Sequence, residues 1–464
     1  MKAKAEARGQ AQASSSGPGS SSGSGSAGSG EVAEPDLVSR QRGRLFPWVK
    51  PYYERPLVVR EAEGVWVTDV EGERYLDLFA GILTTSVGHC HPRVVEAMSE
   101  QARRLGHTST LYVTEPQLEV ADRLVAIAPP GLERVAFTNS GTEAVETAVT
   151  AACLYTGRSE VVALRHAYSG RSALTTNITG HAGWRPLPTA VAGIKHARAP
   201  YVFRSPLGPD ASESEHSDFF IQDLIETIET TTSGRPAALI VETIQGVGGF
   251  IVPPADYLRR AAEVIRSYGG LYIADEVQTG FGRTGEHWFG VAHWDVEPDL
   301  MVMAKGIANG APVGATMARA EIAEAWTSLS ISTYGGTPVS MAAARATLDV
   351  MAEEDVPARS AERGAQLRMG LDRLRESHAW IGEVRGKGLM QAMEIVAGAE
   401  DRTPDPGRAR TVLEAAREER VLIGLGGLKG HVVRMGPSML ITEDELADGL
   451  ERLGRACRRA DGAA

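Results

Sequence analysis

Five apolar runs punctuate the middle of the chain: "RVAFTN" from Arg134, "EVVALR" from Glu160, "AALIVE" from Ala237, "LYIADE" from Leu271 and "DLMVMA" from Asp299. Short, uninterrupted runs of this kind predict strands buried on both faces. Between them, apolar residues recur at the spacing of amphipathic helices. The alternation predicts an α/β domain with a largely parallel sheet over residues 96–345. Ahead of it, "LVVREAEGVWVTDVEGERYLDLF" alternates apolar and polar positions between glycine turns, as a small antiparallel unit does. "HPRVVEAMSEQARRL" then opens a helix on Pro92. After a helix around Ala342–Met351 the pattern changes. The helix "ERGAQLRMGLDRLRES" is followed by the strand-like stretches "IGEVRGKGLMQAMEIV", "VLIGL" and "HVVRMG", and by a last helix from Thr442. The expected fold class is therefore α/β, a large domain with a mostly parallel sheet sandwiched by helices plus a smaller α+β domain. The smaller domain takes residues 346–464, with 31–95 packing beside it.

Residues 1–30 depart from this. "ASSSGPGSSSGSGSAGSG" cannot bury enough apolar surface to offset chain entropy and is expected to be a disordered tail. No apolar segment follows Lys2, Lys4 and Arg8, so it does not read as a secretory signal. It is Ser-rich and acid-poor like a transit peptide, but lacks the amphipathic Arg-rich helix.

The 464 residues are 43% hydrophobic and 23% charged, the balance of a globular enzyme. A formal net charge of −11 argues against nucleic acid or a membrane surface as partner. No apolar run approaches the ~18–20 residues of a membrane span. Cys90, Cys153 and Cys457 make no disulfide framework, which points to a cytoplasmic protein.

Candidate chemistry collects where the strands end. "LYIADEVQTGFG" closes a buried strand on Asp275 and Glu276, then Gln278 and two glycines. A buried carboxylate needs a cation or hydrogen-bond donors, and no cation stands nearby in sequence. "FTNSGTEAVETA" passes from a strand through Ser140, Gly141 and Thr142 into a helix. Its free N–H groups could hold a phosphate, although a plain N-cap explains the hydroxyls equally well. "LRHAYSG" brings Tyr168 to a strand end, either to stack on a flat ligand or to cover the core. "DLMVMAKGIANGAPVGA" ends a buried strand on Lys305 among glycines that let a ligand approach. A lysine there is costly unless its pKa falls or its nitrogen is bound covalently. One ligand answers all four. Pyridoxal 5′-phosphate has a pyridine nitrogen for Asp275, a phenolic oxygen for Gln278, an aldehyde for Lys305, a ring face for Tyr168 and a phosphate for Ser140-Gly141-Thr142.

The stretches "NSGTEAVETA", "ETIQGVGGF", "LYIADEVQTGFGRTG", "MAKGIANGAPVGA", "STYGGTP" and "VRGKGLM", in this order, resemble the class III aminotransferases, pyridoxal-phosphate enzymes of fold type I. The likeness runs from about Leu57 to the C-terminus. It implies that Lys305 is both covalent anchor and proton-shuttling base. It also implies that Thr333 reaches the phosphate of a neighbouring subunit, so that the enzyme is a homodimer, possibly a tetramer, acting on small amino and keto acids. Arg434, in "VVRMGPSM", is implied to grip a substrate carboxylate, a task that suits the guanidinium fork, though a lone surface arginine is the plainer reading. Two departures bear on substrate. Ser169 replaces a usual histidine after Tyr168. Val247 stands where the 4-aminobutyrate and ornithine branches carry a glutamate that pairs with the arginine.

The sequence is thus most similar to the alanine–glyoxylate and ω-amino acid–pyruvate branch, implying pyruvate or glyoxylate as acceptor. The alternatives are a 2-oxoglutarate-dependent ω-aminotransferase, an aminomutase or racemase on the same scaffold, and a scaffold protein that kept the fold. "GHCHP", His89 to His91, puts metal-ligand types side by side, but neighbours in one turn rarely converge on an ion, and no metal is expected.

Overall fold

The five apolar runs become strands of one seven-stranded sheet. The computed structural model describes residues 34–187 and 191–462; the Gly/Ser tail expected over 1–30 lies outside them. Across the sheet the strands run Arg134–Thr138, Gly314–Ala318, Leu300–Met303, Leu271–Asp275, Ala238–Glu242, Val161–Leu164 and Ile194–Ala197. The last five are parallel to one another. Gly314–Ala318 runs antiparallel to both its neighbours.

Two of the seven were not legible as strands. Ile194–Ala197, "IKHA", is an edge strand without an apolar run. Gly314–Ala318, "GATMA", is fully buried but made of small residues with little strand preference. Its first position demands glycine, because a Cβ on Gly314 would lie 2.2 Å from the Ser140 carbonyl oxygen.

The helix Gly141–Thr156 crosses this sheet closely. It buries Ala144, Val145, Ala148, Val149 and Ala152 against Val161, Ile240, Ile273 and Val302. The alanines allow near contact with the strands, and Thr316 donates to the Ala144 carbonyl oxygen at 2.8 Å. That contact fixes the helix N-terminus over the strand ends.

Two four-stranded sheets complete residues 51–464. Val59–Glu63, Trp66–Asp69 and Arg74–Asp77 form the expected antiparallel unit, extended by Val421–Leu422 in parallel with Arg74–Asp77. Ile381–Lys387, Met390–Ile395, Val432–Met435 and Gly424–Gly426 form the other, all antiparallel. The final helix, Glu443–Asp461, starts at a reciprocal cap in which Thr442 and Glu445 satisfy each other's backbone N–H. Among the described residues no helix is long and apolar enough to cross a membrane.

Candidate active site

In a parallel sheet the loops leaving the carboxyl ends are free to build a site. Here they enclose a cavity of about 310 Å³. Ser140, Gly141, Thr142, Tyr168, Asp275, Gln278 and Lys305 all line it. Thr333 and Arg434 do not.

Lys305 follows the strand Leu300–Met303 and opens a short 3₁₀ turn, Lys305–Ala308. Its φ of +46° places a side-chain-bearing residue in the left-handed region, a conformation costing about 1–2 kcal/mol. Such strain aims a side chain where regular backbone would not. Burial lowers its pKa; Asp275 and Glu242 pull the other way, and the Arg434 charge adds to the lowering. No hydrogen bond or ion pair of this amine forms among the described residues. A poorly solvated amine that gives up its proton easily is a nucleophile and a base.

Three buried acids stand at the ends of two neighbouring strands. Asp275 is buried, and its Oδ1 accepts only the Val277 N–H, at 3.1 Å. Burial pushes its carboxyl above the usual range, with Lys305 opposing. Glu276 is its opposite in role. It is fully buried inside four donors: the Thr243 and Thr279 hydroxyls at 2.7 and 2.6 Å, and the Gly290 and Val291 N–H groups at 2.9 and 2.7 Å. That cage makes Glu276 a structural anchor, and leaves Asp275 as the acid available to the cavity. The third, Glu242, escaped the sequence reading. It ends the neighbouring strand in direct register with Asp275 and lines the same cavity. The signal was present, since "AALIVE" ends on an acid as "LYIAD" does, and parallel pairing sets strand ends side by side.

At the mouth of the helix, Ser140 is the N-cap, its Oγ accepting the Glu143 N–H at 3.3 Å, while Glu143 takes the Asn139 N–H at 2.6 Å. The capping reading of Ser140 therefore holds. It does not exhaust the site, because the N–H groups of Gly141 and Thr142 have no acceptor among the described residues. They are the donors an anion would take at a helix N-terminus. Gly170 closes this corner: at φ +134°, a Cβ there would stand 2.5 Å from Thr142 Oγ1.

Gln278 is buried, and its Oε1 has no hydrogen-bond partner among the described residues. Its amide lies on Gly246, where a Cβ would approach Nε2 to 2.0 Å. Tyr168 is half-buried in the cavity wall, packed edge-to-face on Trp184 with ring centroids 5.5 Å apart. It faces the cavity, and so is no simple core tyrosine.

Arg434 lies in the strand Val432–Met435 and is buried, which removes the surface-arginine reading. Nε and Nη2 donate to the Leu425 carbonyl oxygen at 3.1 and 2.7 Å, and Nη1 donates to that of Gly246 at 3.0 Å. The guanidinium sits between the rings of Phe79 and Phe250, 5.3 and 5.4 Å from their centroids. No carboxylate pairs with it among the described residues. Burial lowers its pKa to about 10. Val247 instead offers its carbonyl oxygen to the Gly427 N–H at 2.9 Å.

Thr333 is exposed on a second, larger cavity shared with Thr142 and Glu143 on the far side of the helix mouth. Within "GHCHP", His89 pairs with Asp77 at 2.9 Å, Cys90 is exposed and His91 precedes the helix Pro92–Arg104.

The class-III aminotransferase family profile matches residues 49–457. Alanine–glyoxylate aminotransferase 2 homolog 2, mitochondrial, of Arabidopsis thaliana is 39% identical over 410 residues, covering 88% of this chain and 84% of that protein. The acetylornithine aminotransferase of Methanopyrus kandleri is 38% identical over 408 residues, covering 88% and 96%. Among solved structures, an (S)-enantioselective omega-transaminase from Thermomicrobium roseum superposes with a TM-score of 0.85 at 34% identity, over 92% of this chain and 99% of that one.

Proposed function

This chain belongs to the class-III aminotransferases, and from that premise we propose that it moves an amino group from alanine or an ω-amino acid to pyruvate or glyoxylate. The observation that carries the acceptor is Arg434, buried with no acid partner among the described residues and bonded to the carbonyl oxygen of Gly246, the residue before Val247. An unpaired buried guanidinium gains most from a ligand carboxylate. Nothing at position 247 competes for it, and a short keto acid brings one carboxylate and no second one to accommodate. The likeness to proteins named for alanine and glyoxylate supports the same reading. The acetylornithine aminotransferase likeness keeps 2-oxoglutarate as the acceptor to compare against.

The cavity suits pyridoxal 5′-phosphate. Asp275 would hold the ring nitrogen, Gln278 Oε1 the phenolic group, the Gly141 and Thr142 N–H groups with the Ser140 and Thr142 hydroxyls the phosphate, and Tyr168 one ring face. When bound, the cofactor supplies the electron sink that lets an amino group leave one substrate and join another. Lys305 is the covalent anchor, and its poorly solvated Nζ takes and returns the substrate proton. Asp275, kept dry and nearly free of donors, presents its charge to the ring, and Arg434 orients the keto acid.

The functional unit in this reading is a homodimer, with exposed Thr333 meeting the phosphate of the partner's site. Three unpaired cysteines accord with the cytosol. The test is kcat/KM for pyruvate, glyoxylate and 2-oxoglutarate with one amino donor. Preference for either short acid supports the proposal, and preference for 2-oxoglutarate overturns the choice of acceptor.

A further inference from the structure

The loop Thr243–Phe250, which follows the strand Ala238–Glu242, touches both parts of the site at Gly246, against the Gln278 amide and bonded to Arg434. At its root stands Glu242. Each of its carboxylate oxygens takes one backbone N–H: Oε1 from Tyr168 at 2.9 Å, Oε2 from Gly246 at 2.8 Å. Gly246 passes the connection on, since its carbonyl oxygen accepts Arg434 Nη1 at 3.0 Å and its Cα carries the Gln278 amide. The next residue is Val247.

We propose that Glu242 is a positioning residue that ties the ring-binding side of the site, through Tyr168 and Gly246, to the carboxylate-binding arginine. This rests on the aminotransferase reading above. A packing role alone would be served more cheaply by an apolar side chain, because a buried acid directly beside Asp275 is costly. Burial and the charge of Asp275 push the Glu242 carboxyl well up. Glu242 is the acid whose two oxygens reach both sides of the site, one accepting the Tyr168 N–H and the other that of Gly246, whose carbonyl oxygen holds Arg434. With valine at 247, it is the acid left to serve that arginine, and it does so through Gly246.

Glu242→Gln tests the connection. The amide can accept at only one of the two positions, and its NH₂ must face a backbone N–H at the other. One lost charge-assisted hydrogen bond is worth about tenfold. Glu242→Gln should therefore raise KM for the acceptor about tenfold with a smaller change in kcat. It should also weaken pyridoxal 5′-phosphate binding to the apoenzyme, read by fluorescence titration. In an Arg434→Ala background the KM effect should shrink to about twofold or less, because the two residues meet at Gly246, one on its N–H and the other on its carbonyl oxygen. Full tenfold persistence in that background, or a lower melting temperature with KM and cofactor affinity unchanged, overturns the proposal.

Should Glu242→Gln fail to fold, Glu242→Asp keeps the charge but draws the carboxylate back from both N–H groups, and its acceptor KM effect must likewise vanish with Arg434→Ala. The cycle is run with whichever keto acid the wild type prefers. A 2-oxoglutarate preference then corrects the acceptor without deciding Glu242. Absence of transamination with all three acids removes the reading itself, and the fluorescence titration still judges the coupling to the cofactor side.

Discussion

Replacing Arg434 by alanine should separate the two half-reactions. A guanidinium has five N–H donors. Three are engaged by Leu425 and Gly246 carbonyl oxygens, leaving one on each terminal nitrogen for a carboxylate. A charge-assisted hydrogen bond contributes about 1.5–3 kcal/mol, so losing even one of the two should lower kcat/KM for pyruvate by at least ~10-fold. The same change leaves the Leu425 carbonyl oxygen without its arginine donors, while that of Gly246 keeps the Gly249 N–H at 3.1 Å, and should destabilise the fold by about 1–3 kcal/mol. Stability and recognition are told apart by the donor. An amine without a carboxylate never uses Arg434, so the rate at which it bleaches the cofactor's visible absorption should hold within about threefold, well below one lost charge-assisted bond. Arg434→Lys should recover little, because an ammonium cannot present the fork. Equal losses with the carboxylate-free amine and with pyruvate would refute the reasoning, since the arginine would then be supporting the cavity in general.

Val247→Glu should place an acid beside that cation and depress kcat/KM for pyruvate and glyoxylate by ~10-fold or more; steady-state kinetics unchanged from the parent would show that position 247 does not reach Arg434. Asp275→Ala removes the lightly bonded buried acid and should weaken cofactor binding ~10- to 100-fold, measured by fluorescence titration of the apoenzyme; unchanged affinity would take Asp275 out of the site. Glu276→Gln, one position on, should behave oppositely. It leaves a caged donor unsatisfied and costs about 1–3 kcal/mol of stability by denaturant unfolding, while KM in the folded protein stays within about twofold, too small for a lost substrate hydrogen bond.

The contrast between Asp275 and Glu276 marks the limit of what could be read from the chain. The sequence showed two acids ending an apolar strand, and the resemblance pointed to the first. Only the packed structure shows why: Thr243, Thr279, Gly290 and Val291 occupy the second, and three of those four lie beyond the strand-end motif. Lys305, Tyr168, Gln278 and the Ser140–Thr142 turn were legible because each follows a short apolar run, and strand ends of a parallel sheet share one edge. Glu242 was not singled out, since its importance lies in register with Asp275 and in two backbone contacts that no local pattern encodes. Arg434 needed the fold as well. Its burial between Phe79 and Phe250 depends on segments far apart in sequence. The antiparallel strand Gly314–Ala318 was missed for a related reason, its first residue being held to glycine by the Ser140 carbonyl oxygen lying against it.

The central claim is that Lys305 anchors the cofactor in the cavity at the strand ends. Borohydride reduction of the pyridoxal 5′-phosphate-loaded protein, followed by peptide mapping by mass spectrometry, tests it most directly. A single phosphopyridoxyl label is expected on the peptide containing Lys305, lost in Lys305→Ala. A label on another lysine, or none on a protein that still transaminates, would contradict it.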